Sequence, residues 1–235
     1  MSEGSYTIRL WDWPIRLFHW AIVGLIAGLW LTQRLGRTDL HIKLGMAMLF
    51  LVVFRLGWGL WGSEPARFAR FIKGPAAIRA YLKHGRTPDG APVVGHNPLG
   101  ALSVIALIAV LAAQVGLGLF ATDTDATNYG PLNALVGYDT AEKLTHWHKL
   151  GFNLILALSA LHLAAIVYYA LVKREPLVPA MVTGTRTFPE PVPQPRKAPL
   201  WRLAVTLLLA FAVCDWVWNG GHFMPKPKPA YDISY

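Results

Sequence analysis

The chain has one cysteine, Cys214, in 235 residues. A lone thiol excludes a disulfide framework, a cysteine-ligated zinc or iron–sulfur site, and covalent c-type haem attachment, which needs C-x-x-C-H. Charge is scarce as well. Asp, Glu, Lys and Arg make up 15% of the residues, where an ordinary soluble domain carries about 25%. Acidic residues are the scarcest, 13 against 22 basic ones, so the formal net charge is +9. In a soluble chain such an excess points to nucleic acid. Here the basic residues lie between apolar blocks, which argues against nucleic acid and for membrane lipid as the partner.

Apolar residues are what the chain has in abundance, 54% of the total. They fall into five blocks of about the 17–25 residues that a bilayer core requires: Ile15–Thr32, His41–Trp61, Leu99–Phe120, His148–Val172 and Leu200–Trp218. The predicted fold is therefore all-α and integral to the membrane. Gln114 is the only strongly polar member of the third block. Arg55 in the second block, and Asn153 and His162 in the fourth, must face protein rather than lipid. Asp12 as a cap, with Pro14 in the first turn, starts an ordinary helix. No A-x-A-like site follows Leu31–Thr32, so the first block is read as a retained span, not a signal peptide.

Lysine and arginine set the orientation. With a cytoplasmic N-terminus, fifteen basic residues fall on the inner side and seven on the outer, and the acidic loop Asp123–Asp125 falls outside. Nine of the ten tryptophans cluster at block ends, as an aromatic belt does. Residues 67–83 read as an amphipathic segment on the inner surface. Pro176–Pro199 reads as an extended proline-rich linker, followed by a fifth span (200–218) and a tail (219–235).

Eight histidines are the informative surplus. An intramembrane imidazole is costly without a partner such as a cofactor, a metal or an ion path. His19 lies one turn inside the first span, while His41 and His148 open the second and fourth spans on the opposite side. His162 follows His148 by fourteen residues, which returns it to within about 40° of the same helix face and about 21 Å further along. His162 is then level with His19, and His41 with His148. Two bis-histidine sites at two depths follow from that spacing. Imidazole is a standard axial ligand of haem iron, and facing helices of a bundle build such cofactor sites. Zinc is the competing ligand logic, but a closed zinc site gathers four ligands together, whereas these divide into two distant pairs. His146, two residues from His148, is the rival outer ligand. Arg16 and Arg55 share the helix faces of His19 and His41, and a guanidinium suits a haem propionate; positive-inside placement is the plainer account of both. His84, His96 and His222 read as surface residues, and Asn97-Pro98 as a helix start. Gly45, Gly116 and Gly118 permit close approach by a helix or a porphyrin.

Several stretches resemble the bacterial cytochrome b561 and Ni,Fe-hydrogenase cytochrome b family. They are Ile15–Trp20 (IRLFHW), His41-x-Lys43-x-Gly45, Phe54-Arg55-Leu56-x-Trp58-Gly59, Gly95–Gly100 (GHNPLG), and His148 with Asn153 and His162. The resemblance covers about residues 9–185 and implies a four-helix transmembrane bundle holding two non-covalent b haems. It implies His19 with His162 around the inner haem and His41 with His148 around the outer one. It also implies an electron-transfer subunit of the bacterial inner membrane. Electrons pass there between a periplasmic partner (a c-type cytochrome, dehydrogenase or hydrogenase subunit) and the quinone pool. A stand-alone superoxide:quinone oxidoreductase is the alternative within the resemblance. A haem-free metal-binding or transport protein is the alternative outside it. The chain departs from the family pattern after about residue 200, where a fifth helix and a basic, proline-rich tail are added. That helix either docks a periplasmic partner or packs against the bundle.

Overall fold

A computed structural model describes residues 5–84, 93–123 and 128–222. The tail from residue 223, with Lys226 and Lys228, lies outside the described residues, as do Arg86 and Asp125 of the acidic loop. Among the described residues, five helices are long and apolar enough to cross a membrane, and the chain is a multi-pass membrane protein.

A short strand, β1 (Tyr6–Arg9), precedes α1 (Trp13–Arg34). Asp12 caps this helix: Oδ1 accepts the Ile15 N–H at 3.0 Å, and Oδ2 accepts Nε1–H of Trp58 at 3.0 Å. The C-terminus of α1 closes in a Schellman turn. Gly36 takes φ +64°, and the Arg37 N–H reaches back to the Thr32 carbonyl at 2.9 Å. Next comes α2 (Thr38–Trp61), and the interfacial stretch forms two short helices, α3 (Phe68–Phe71) and α4 (Pro75–His84). Pro98 opens α5 (Pro98–Leu119), capped by Asn97, whose Oδ1 accepts the Gly100 N–H at 2.8 Å.

Helix α6 (Tyr138–Leu171) begins ten residues before the apolar block does. Its first turns carry Asp139, Glu142 and Lys143, so a hydropathy criterion passes over them. They are helical because the Gly137 carbonyl accepts the first N–H groups and Thr145 ties the helix to Thr122 (2.9 Å). His148 consequently sits about three turns into α6 rather than at its start.

The stretch read as an extended linker is partly ordered. It contains α7 (Leu177–Thr183) and a strand, β2 (Thr185–Phe188), paired antiparallel with β1 so that Tyr6 faces Phe188 and Arg9 faces Thr185. The prolines bunch after Phe188, which leaves the Thr-rich strand free to pair. The last helix, α8 (Leu200–Trp218), matches the fifth block.

The chain divides into two compact units, and each of the five long helices contributes to both. The first comprises Met1–Ala21, Phe54–Leu107 and Leu158–Leu207. There α8 packs on α2: Trp61 Nε1–H donates to Thr206 Oγ1 (2.8 Å), Arg202 donates to the Trp61 carbonyl (3.0 Å), and Gly57 leaves room for the Thr206 methyl. The second comprises Ile22–Val53, Ile108–Ala157 and Leu208–Tyr235. Its core joins Met48 and Val52 of α2, Leu111 and Val115 of α5, and Ile155 of α6. In this unit Cys214 of α8 lies 3.7 Å from the Met46 carbonyl. These contacts place the fifth helix against α2.

Asp12 joins a helix cap to a bond with a second helix. Asp12→Ala is therefore expected to lower stability by about 1–2 kcal/mol, the range for losing a cap. Unfolding in detergent followed by tryptophan fluorescence measures this, and an unchanged midpoint would contradict the role given to the carboxylate.

Candidate functional site

In the second unit the structure brings His41 and His148 together. Their ring centroids are 6.1 Å apart with planes at 87°. Each ring is held by its Nδ1, which lies 3.0 Å from the Leu29 carbonyl in His41 and 2.9 Å from the Gln114 carbonyl in His148. A carbonyl only accepts, so Nδ1 carries the proton in both rings and Nε2 keeps its lone pair. That is the tautomer a metal-ligating histidine adopts. Two metal–imidazole bonds of about 2 Å each, added to the ring radii, separate centroids by about 6 Å. The observed spacing would let the two rings hold one metal between them.

Gln114, the lone polar residue of α5, makes a second bond here: its Nε2–H donates to the His148 carbonyl at 2.8 Å. Two glycines permit this clamp. A Cβ at Gly118 would stand 2.9 Å from His148 Cε1, and one at Gly151 would stand 2.3 Å from Gln114 Oε1. Gly45, one turn from His41, and Gly116 border open space, with nothing within 4 Å of a built Cβ. His146 is exposed and meets only the Trp147 ring among the ring contacts of the described residues; His148 is the residue facing His41.

In the first unit His19 and His162 are both partly buried and lie within electrostatic reach of each other. Among the described residues, Nδ1 of His19 is shut off from solvent with no hydrogen-bond partner, and so is Nε of Arg16. The Arg16 guanidinium donates to the Val182 carbonyl. Arg55 is 4% exposed; its Nη1 donates to the Ala66 carbonyl at 3.2 Å, and its guanidinium lies 4.8 Å over the Phe68 ring. Among the described residues Arg55 makes no direct ion pair and has the Asp12 carboxylate within electrostatic reach, and a buried guanidinium of this kind suits an incoming group that brings carboxylates of its own.

His96, read from sequence as a surface residue, belongs to this cluster instead. Its ring lies 4.8 Å from both Trp11 and Phe71, and its buried Nδ1 has no partner. Burial, helped by the positive charge of Arg55, pushes its pKa down to about 3, so the ring is neutral at physiological pH. The sequence signal was Gly95, whose φ of +99° turns the chain so that His96 falls inward just before the Asn97 cap.

Among the described residues no group of three or more His, Cys, Asp or Glu side chains gathers as a metal cluster. Paired imidazoles are too few for a closed zinc site, and each pair would suffice to hold a haem.

The family model for prokaryotic cytochrome b561 matches residues 10–184. Three curated relatives are each named "Probable Ni/Fe-hydrogenase B-type cytochrome subunit". The Azotobacter vinelandii protein is 23% identical, with 79% of this chain and 91% of the relative covered. The Cupriavidus necator protein is 25% identical, covering 76% and 86%, and the Bradyrhizobium diazoefficiens protein is 21% identical, covering 80% and 89%. No solved structure matches the chain.

Proposed function

Since the chain belongs to the prokaryotic cytochrome b561 family, we propose that it holds two b haems and passes electrons between a periplasmic redox enzyme and the quinone pool. At the coarser level it is a membrane b-type cytochrome of electron transfer. The proposal adds the number of haems, their ligands and the partners. One site takes His41 and His148, the other His19 and His162, with Arg16 and Arg55 directed to propionates. His96 is added as a neutral wall of the second site. The observation that carries the reading is the His41–His148 pair, whose Nδ1 atoms are both committed to backbone carbonyls.

Haem b supplies a one-electron Fe(III)/Fe(II) couple. The side chains supply the rest. Leu29 and Gln114 carbonyls fix ring orientation and raise the basicity of Nε2. Buried Arg55 places a positive charge in a low-dielectric setting, which favours an anionic ligand group. The apolar helix faces keep water away.

The redox partner is proposed to be a hydrogenase or dehydrogenase subunit, in keeping with the names of the similar proteins. The setting is the bacterial inner membrane with the N-terminus cytoplasmic, from the distribution of basic residues. A reduced-minus-oxidised spectrum of purified protein is expected to show a sharp b-type band, and a pyridine haemochrome assay to give about two haems per chain. A flat spectrum would overturn the haem reading, and a stoichiometry of one would overturn the pairing. Copurification with a hydrogenase or dehydrogenase subunit tests the partner separately.

A further inference from the structure

A cavity of about 480 Å³ opens in the first unit where α1 and α8 begin and α2 ends. Its size falls in the roughly 300–1,000 Å³ range of small-ligand sites. Tryptophans Trp11, Trp13 and Trp58 line it together with the cations Arg9, Arg16, Arg196 and Lys197. None of the four paired histidines lines it, and Arg16 is a lining residue that it shares with the His19–His162 site.

The charge in this cavity is unbalanced. Asp12 is the one carboxylate among its described lining residues, and both its oxygens are taken, by the Ile15 N–H and by Trp58 Nε1–H. Among the described residues, Arg9, Arg196 and Lys197 form no direct ion pair, and Arg196 lies within electrostatic reach of the Glu64 carboxylate. The backbone that carries Arg196 and Arg9 is anchored, while their side chains are exposed. Glu64 Oε2 accepts the Arg196 N–H at 3.0 Å, the Glu64 N–H donates to the Arg196 carbonyl at 3.0 Å, and Gln194 Oε1 accepts the Arg9 N–H at 3.3 Å. The other Glu64 oxygen is held by Arg70 at 2.8 Å. A neutral ligand would leave four lining cations with Asp12 as the one carboxylate among the described lining residues.

We propose that this cavity binds a phosphate group, carried by an anionic glycerophospholipid or present as the free ion. Arginine and lysine both serve phosphate oxygens well. The lipid is the favoured source, because basic pockets between spans receive phospholipid headgroups and the rim continues into exposed apolar surface. Trp13 is 56% exposed and Leu200 76% exposed, which gives acyl chains a surface to lie on. Arg196 and Lys197 fall outside the residues the family model matches. The segment that leads into the fifth helix thus supplies two of the four lining cations, and the bound phosphate ties that segment to the turn before α1.

The test uses delipidated full-length protein in neutral detergent, with native mass spectrometry and thermal melting. The probes are dioleoylphosphatidylglycerol, dioleoylphosphatidylcholine and inorganic phosphate. One phosphatidylglycerol is expected to be retained per chain and to raise the melting midpoint, while phosphatidylcholine does neither. The Arg196→Gln/Lys197→Gln pair is expected to weaken phosphatidylglycerol retention about 30-fold, at about a factor of five per basic residue. Arg9→Gln, on the other wall, is a second variant expected to weaken it about fivefold should the pair fail to fold. Protection by inorganic phosphate without phosphatidylglycerol would assign the site to the free ion. Equal retention of both lipids, or undiminished retention by the folded variants, would overturn the proposal.

Discussion

His162→Ala is expected to remove one haem and spare the other. The pyridine haemochrome falls from about two to about one per chain, and the b-type absorbance falls by about half. The expectation follows from how the imidazoles are distributed. His19 and His162 belong to one compact unit, and His41 and His148 to the other. The bonds that orient His41 and His148 run to Leu29 and Gln114, which lie in the same unit as those rings. Removing an imidazole from the first unit leaves them untouched. His41→Ala is the complementary case and should lose the other component, so the two residual spectra should sum to that of the parent. Loss of both haems from His162→Ala would show that the sites are not independent. A residual spectrum identical to that of His41→Ala would show that the pairing is wrong.

That His41 lies against His148, and His19 within reach of His162, was legible because helix geometry converts sequence spacing into depth and rotation, and no tertiary contact is needed for that step. The five spans were legible for the same reason, and the fifth matches to the residue because Pro199 and the apolar run mark both its ends. Where polar residues are helical, hydropathy fails. The first turns of α6 are set by the Gly137 carbonyl and by Thr145, which no apolar run reports. Pairing across long separations was also hidden. Strand β2 meets β1 about 180 residues away in sequence, and neither stretch alone is long enough to announce a strand. Gln114 stood out as polar, but its purpose depends on Gly151 and on the His148 backbone more than thirty residues further on. His96 looked like a loop residue because burial by Trp11 and Phe71 is a property of the folded chain.

Gly118 provides the second large effect, by steric means rather than by deletion. A Cβ at this position would lie 2.9 Å from Cε1 and 3.2 Å from Nδ1 of His148, closer than carbon contacts allow. The ring has no free direction of retreat. Its Nδ1–H is bonded to the Gln114 carbonyl on the same helix as Gly118, so moving away breaks that bond and leaves the imidazole N–H without its acceptor. Valine adds two branches with a stiff χ1 in a helix, and overpacking of this kind costs about 1–3 kcal/mol before the broken bond is counted. Gly118→Val is therefore expected to abolish the His41–His148 haem, leaving about one haem per chain with the spectrum of His41→Ala. Gly118→Ala, with a single methyl, should keep both haems and tilt the imidazole, which electron paramagnetic resonance reads as a shift in the low-spin signal of one component only. A valine variant that retains both haems with unaltered signals would mean that His148 is not a ligand, and His146, two residues earlier, would become the residue to test.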